Sequence, residues 1–432
     1  MKNFFYFLFY SGIMLYGIIS TSCQSAGPET DQESTIITRT TKDRIDSTLK
    51  AFVSSGEAAG VSALVFEKNK EVYFNAYGFA DKEAGIPMDR KTIVRIFSMT
   101  KPITGVALMK LYEQGAFELD DPISKYAPEF TDMKVLAGVD ASGKLLLEPA
   151  KRAITIRDLT RHTAGFANPG HPQLNDLVLQ TDASNKENTL SEMAKKLAAL
   201  PLSFHPGEQW SYGISVDVQA YLVERISGKP FDQYIKQNIF EPFKMTTTRY
   251  VVPEAELRQF AALYSRDDDG RISKVPPEMA NEFNSRDWPL KPGGFGLTST
   301  LDDYMQFAQM LVNEGAHNSV RILKEETVRL MATNHLSDSV TERMWLPSKG
   351  QVGFGIDFAV RLRPPGSSDE NNGVVGEFFW DGAASTLFWV DPKNELTAVF
   401  FVQVIPFYGQ FHKKFRDAIY GKHKPDAAVS SK

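Results

Sequence analysis

Ser98-Met99-Thr100-Lys101 places a hydroxyl and an amine three residues apart. On a helix that spacing puts both side chains on one face, one turn apart. A hydroxyl in the first turn meets free backbone N–H groups and the positive end of the helix dipole, which favour developing negative charge. A neutral amine beside it can take the hydroxyl proton, so the pair offers a nucleophile and its base. Burial or a second cation favours the uncharged amine that such a base requires. Spacing alone does not single out this tetrad, because Ser47-Thr48-Leu49-Lys50 repeats it inside an amphipathic helical pattern, where it reads as a surface feature. Ser98 differs by position. It follows a short strand-like segment over 93–97 and opens a helical run through Val106, Leu108, Met109, Leu111 and Tyr112 to Gly115.

Other chemistries lack their motifs. There is no His-Glu-x-x-His, no Gly-x-x-x-x-Gly-Lys-Ser/Thr phosphate loop, no Gly-x-Ser-x-Gly elbow and no Gly-x-Gly-x-x-Gly fingerprint. The seven histidines are scattered without ligand spacing, so no metal and no cofactor is expected. The net charge of -5 is mild over 432 residues and no Lys/Arg-rich run stands out, which argues against a nucleic-acid partner.

The elements that must position the tetrad are legible in outline. A helical pattern begins at Thr41, with Ile45, Leu49, Phe52 and Val53 on one face, and stops at Gly56. Apolar runs over 61–66 and 72–77, joined by Glu67-Lys68-Asn69-Lys70, predict an antiparallel hairpin. Residues 116–290 read as mostly helix and loop, with helices over 190–200 and 217–226. A helix over 301–312, strands over 354–360, 386–390 and 396–402, and a closing helix near 410–419 follow. Strands at both ends with helices between predict an α+β fold: one antiparallel sheet completed by both chain ends and flanked by helices, with a mainly helical insertion.

At Ser98-Met-Thr-Lys101 the sequence resembles the first motif of the serine β-lactamase and penicillin-binding-protein superfamily. Trp210-Ser211-Tyr212-Gly213-Ile214 lies where the class C branch carries Tyr-x-Asn. It is similar to the tyrosine segment of family VIII carboxylesterases and lovastatin-type acyltransferases. Trp380-Asp381-Gly382-Ala383 resembles the third motif, Lys-Thr-Gly in β-lactamases and often Trp-Gly-Gly in esterases. Asp158-Leu159-Thr160-Arg161-His162-Thr163-Ala164-Gly165, Pro206-Gly207, Gly293-Gly294-Phe295-Gly296 and Thr333-Asn334-His335-Leu336 agree in order, so the resemblance spans roughly residues 40–420. It implies the β-lactamase/transpeptidase-like fold and an acyl-enzyme at Ser98. Lys101 and Tyr212 become a coupled acid/base pair, and the backbone N–H groups of Ser98 and Ala383 the oxyanion hole. It also places Trp380, Asp381, Gly382 and Ile214 at the substrate pocket. Asp217 is read as orienting the tyrosine segment or capping its helix, and His162 as a turn histidine satisfied by backbone.

Two departures bear on substrate. Ile214 stands where the motif has Asn, and Trp380 replaces the lysine that would pair with a β-lactam carboxylate. An esterase acting on neutral, partly apolar acyl groups is therefore expected, with a small-molecule ester or amide as partner. The alternatives are an acyltransferase to an alcohol or amine, a β-lactamase or D-amino-acid peptidase, and a surface-tethered binding protein with a retired site. Asp381 places a negative group where esterases have Gly. It reads either as a contact for a cationic substrate or as a strand-edge residue.

The N-terminus is of another kind. Met1-Lys2-Asn3 precedes an apolar run over 4–19, then Ser20-Thr21-Ser22 and Cys23, the only cysteine. This predicts a signal peptide over 1–22, lipidation of Cys23, a tether over 23–38, and an exported, membrane-anchored lipoprotein. The hydrolase domain is expected over 39–425, its sheet region over about 39–115 and 291–425 and its helical region over about 116–290.

Overall fold

The protein is described by a computed structural model over residues 36–423. The segment read as a signal peptide, Cys23, and most of the tether lie outside the described residues.

An eight-stranded antiparallel sheet is built from both ends of the chain. The N-terminal part supplies β1 (Gly60–Glu67), β2 (Lys70–Asp81) and β3 (Ile86–Pro87). The C-terminal part supplies β4 (Val352–Phe354), β5 (Ala359–Arg361), β6 (Phe378–Asp381), β7 (Leu387–Asp391) and β8 (Leu396–Val402). Their order is β4-β5-β6-β7-β8-β1-β2-β3, and the two contributions meet where β1 pairs with β8, Leu64 opposite Val399. Covered on both faces, β8 (Leu-Thr-Ala-Val-Phe-Phe-Val) is buried throughout, Thr397 included. Lys68 and Asn69 form the two-residue link between β1 and β2 with φ of 52° and 61°, the positive values that let a tight turn follow the twist of a hairpin.

Five helices matter for the site: α1 (Arg39–Ser54), α2 (Thr100–Glu113), α3 (Ser215–Ser227), α4 (Leu301–Val312) and α5 (Gly409–Tyr420). α1 and α5 cover one face of the sheet, where Phe52 packs edge to face on Phe411 and at a tilt on Phe400. α4 covers the other face, with Tyr304 against Phe388 at 5.0 Å. Thr300 caps α4 through its side chain, which accepts from the Asp303 backbone. Behind β5 and β6 a buried Glu377 accepts from Arg361 and Arg416, each at 2.8 Å, tying α5 to the sheet.

One expectation needs correction and another an addition. The strand expected over 354–360 is two strands, β4 and β5, because the chain turns at Gly355–Phe358 and Asp357 takes φ 60° to send its carboxyl inward to Gln219, 3.0 Å away. The middle region is not only helix and loop. It carries a hairpin, Lys134–Val139 with Leu145–Pro149, and strands Tyr264–Arg266 and Ile272–Lys274, the first beside Val404–Ile405. The hairpin's Leu146 and Leu147 are exposed, so it lacks the in–out alternation that marks a half-buried strand in sequence.

Candidate active site

Ser98 lies in a single 3-10 turn, Phe97–Met99, that runs straight into α2. The residue before it, Phe97, takes φ 43°, a left-handed conformation costing a bulky residue of order 1–3 kcal/mol. That bend carries the chain from the Val94–Arg95 strand into the helix and leaves the Ser98 side chain partly exposed. One turn on, the Lys101 side chain is buried, its residue 5% exposed, and its Nζ donates to Ser98 Oγ at 3.2 Å and to the Gly294 carbonyl at 2.7 Å. One atom, Lys101 Nζ, thus touches both the serine hydroxyl and the loop carbonyl.

The loop at Gly293-Gly294 aims that carbonyl. Thr104 of α2 donates to the Gly293 carbonyl at 2.7 Å, and Asp217 of α3 accepts from the Gly294 N–H at 3.0 Å. A Cβ at Gly294 would stand 2.9 Å from the Asp217 carboxylate and 3.3 Å from Lys101 Nζ, so only glycine leaves room for both. Asp217 therefore holds the loop under Lys101. Burial raises its pKa, opposed by Lys101 and by the backbone N–H groups of the loop.

Tyr212 enters from the segment before α3. Lys101 Nζ lies 4.5 Å from the centre of its ring, and Trp380 Nε1 donates to its hydroxyl at 3.2 Å. His162, Trp345 and Trp380 surround the ring at 4.6, 5.0 and 5.4 Å. Asn168 fixes the main chain by donating to Ser211 Oγ and to the Tyr212 carbonyl at 2.9 and 3.1 Å. The third motif closes the site from β6. A Cβ on Gly382 would run into Thr386 Oγ1 and come within 2.5 Å of the Ile96 carbonyl, so this glycine packs directly on the chain leading to Ser98. The exposed Ala383 follows it in the turn to β7. Ser98, Lys101 and Tyr212 thus meet, with the third motif against their supporting chain. The set can take a proton from a hydroxyl and return it to a leaving group.

Beside them is a cavity of about 330 Å³ lined by Lys101, Tyr212, Ile214, Leu179 and Phe295 among others. Of the four residues expected at the pocket, Ile214 lines this cavity; Trp380, Asp381 and Gly382 do not. Trp380 is completely buried, spending its N–H on Tyr212. Asp381 faces neither a substrate cation nor a bare strand edge: it is a buried partner of Lys349, and His412 Nδ1 lies 3.9 Å from it. His412 Nε2 in turn lies 2.9 Å from the Ser385 carbonyl, and burial pushes its imidazole down to about 4 against the pull of Asp381. The turn holding Ala383 is thereby clamped from Lys349 and α5. His162 also differs from expectation. Fully buried at φ 58°, its ring nitrogens have no hydrogen-bond partner among the described residues, and its role is to pack on Tyr212. Burial, with Lys101 nearby, holds it well below the ordinary imidazole range and so neutral.

Sequence reading missed Asn168, Lys349 and Asp357. Only Asp357 carried a signal, as an aspartate in an apolar run. It is fully buried, and burial pushes its carboxyl well above the ordinary range, opposed by Gln219 and Lys101.

Similarity to known proteins agrees with this geometry. The family model described as beta-lactamase matches residues 45–416. An uncharacterized protein of Mycobacterium tuberculosis is 33% identical over 376 residues, covering 84% of this chain and 90% of that one. A lovastatin esterase of Penicillium rubens is 26% identical, covering 88% and 98%. The solved structure of EstCE1, described as a hydrolase with promiscuous acyltransferase activity, superposes with a TM-score of 0.74 at 23% identity, covering 88% of this chain and 99% of that one.

Two outcomes follow for stability. Lys349→Met strands a buried carboxylate and is expected to cost about 3–5 kcal/mol in denaturant unfolding, most of it recovered when Asp381→Leu is added; an additive double variant contradicts the clamp. Because His162 is held neutral when folded, the unfolded chain protonates first as pH drops below about 6.5, so stability falls toward pH 5. His162→Phe is expected to flatten that slope by up to about 1.4 kcal/mol per pH unit, and parallel profiles contradict it. By the matched model and by the M. tuberculosis relative, the chain belongs to the beta-lactamase family.

Proposed function

We propose that this protein is a serine hydrolase that cleaves carboxylic esters through an acyl-enzyme on Ser98. The observation that carries the reading is the amine of Lys101 within hydrogen-bond reach of Ser98 Oγ and against the ring of Tyr212. In the first step Ser98 Oγ bonds to the ester carbonyl carbon while its proton passes to the Lys101–Tyr212 pair. The carbonyl oxygen takes the negative charge, met by the backbone N–H groups of Ser98 and Ala383. Collapse breaks the bond to the alcohol, whose oxygen leaves with the proton from the pair. Water then enters, gives a proton to the same pair, attacks the acyl carbon and releases the acid as Ser98 recovers its proton.

The substrate side supports an ester over a β-lactam. Trp380 supplies an N–H to Tyr212 in place of a cation facing the ligand, and Ile214 presents a methyl-rich wall. The cation nearest the third motif, Lys349, is spent on Asp381. A lovastatin esterase and a hydrolase with acyltransferase activity among the similar proteins fit a neutral ester and leave acyl transfer to an alcohol as the competing outcome.

The test is turnover of p-nitrophenyl acetate, butyrate and octanoate, beside nitrocefin and a D-Ala-D-Ala peptide. Ser98→Ala and Tyr212→Phe are expected to lower kcat by at least about 10²-fold with folding intact, since each removes a group used in proton transfer or bond formation. Undiminished turnover in Ser98→Ala contradicts the mechanism. Faster product formation on addition of alcohols, with ester recovered in place of acid, reassigns the enzyme as an acyltransferase.

A further inference from the structure

A second cleft, of about 600 Å³, touches the nucleophile's other neighbours: Phe97, immediately before Ser98, and Ala383 of the third-motif turn. Its walls are apolar, formed by Val275, Met279, Phe283 and Phe407 among others. Phe283 and Phe295 stand with ring centres 5.4 Å apart; Phe295 lines the cavity at Ile214 and Phe283 lines this cleft, so the pair marks the division between them. The polar groups at the cleft are already engaged. The Arg95 guanidinium donates to the carbonyls of Ala261 and Ala280 at 2.8 and 2.9 Å, and to the side chains of Asn281 and Gln403. Asn284 donates to two carbonyls, and Glu282 pairs with Lys186.

The geometry of the tetrahedral intermediate assigns the two spaces. Its carbon bears Ser98 Oγ, the oxyanion, the alcohol oxygen and the acyl chain. The alcohol oxygen must face the groups that protonate it, Lys101 and Tyr212, and these line the cavity at Ile214. The oxyanion faces the N–H of Ala383, whose residue lines the second cleft. The acyl chain points away from Lys101 and Tyr212, to the side of the oxyanion, where Phe97 and Ala383 open onto the second cleft. We propose that the cleft between Phe97, Val275, Met279 and Phe283 holds the acyl chain, an uncharged alkyl or aryl group longer than acetyl, while the cavity at Ile214 holds the alcohol part. This assignment rests on the reading of the protein as an ester-cleaving enzyme. With the cations of the cleft committed, an acyl group bearing a free carboxylate finds no partner there, whereas each buried methylene raises kcat/KM by up to about fourfold.

Two tryptophan substitutions separate the spaces. Val275→Trp, with the more exposed Met279→Trp as a milder obstruction, fills the cleft; Leu179→Trp fills the cavity. The cleft variants are expected to lower the ratio of kcat/KM for p-nitrophenyl octanoate over acetate at least tenfold. Leu179→Trp should instead lower the ratio for octyl acetate over methyl acetate. The reverse pattern, or an octanoate-to-acetate ratio that neither cleft variant changes, overturns the assignment. If the wild-type protein cleaves no ester, the ester reading falls by itself and the cleft is read by labelling: P-octyl and P-ethyl p-nitrophenyl phosphonates should modify Ser98 with an octyl-to-ethyl rate ratio at least tenfold lower in Val275→Trp. An unchanged ratio overturns the inference, and absence of labelling at Ser98 overturns both.

Discussion

The amine of Lys101 lies between the hydroxyl of Ser98 and the carbonyl of Gly294, at 3.2 and 2.7 Å, with its residue 5% exposed. Taking an ammonium out of water costs several kcal/mol unless the surroundings replace its hydration. Those surroundings come from three separated stretches: α2, which carries Lys101, the loop with the Gly294 carbonyl, and the segment that brings both the face of Tyr212 and the carboxyl of Asp217. Asp357 adds a second buried carboxyl that feels the same lysine. A lysine so placed cannot wander to solvent, and its Nζ stays against the serine hydroxyl. The double glycine is a consequence of this, since the loop must come close enough for its carbonyl to replace a water.

The remaining architecture serves to hold β6 and α2 against each other. Gly382 presses on the Ile96 carbonyl just before the nucleophile, and the Lys349–Asp381 pair holds the end of β6 from the far side. The Glu377 pair of arginines fixes the start of the same strand to α5. Buried ion pairs add little net stability, but each resists displacement because breaking it exposes an uncompensated charge. In the proposed mechanism this turn presents one backbone N–H to a developing oxyanion, and resistance to displacement is the useful property there.

Much of this was legible in sequence where local chemistry and periodicity agree. Ser98 and Lys101 share a short motif at a strand-to-helix junction, β8 is a short β-branched and aromatic run and α4 has a helical period, so their bounds were found at Leu396–Val402 and Leu301–Val312. Tyr212 was reached through resemblance, because a single tyrosine before a helix has no distinguishing period. The role of Asp381 was not legible: its partner is 32 residues away in a short 3-10 turn, and an isolated aspartate reads equally as ligand contact or surface. The same holds for Asn168, whose function is to hold a main chain more than forty residues on. The split of β4 from β5 depends on Asp357 reaching Gln219, a tertiary bond that overrides an apolar run.

In the proposed chemistry Ser98 becomes covalently acylated because Lys101 draws off its proton. It is tested most directly by mixing the protein with an alkyl p-nitrophenyl phosphonate, quenching at intervals and mapping the adduct by peptide mass spectrometry. A single adduct on Ser98 is expected in the wild-type protein, formed at least about 10²-fold more slowly in Lys101→Ala. An adduct on another residue, or equal rates in the two proteins, contradicts it.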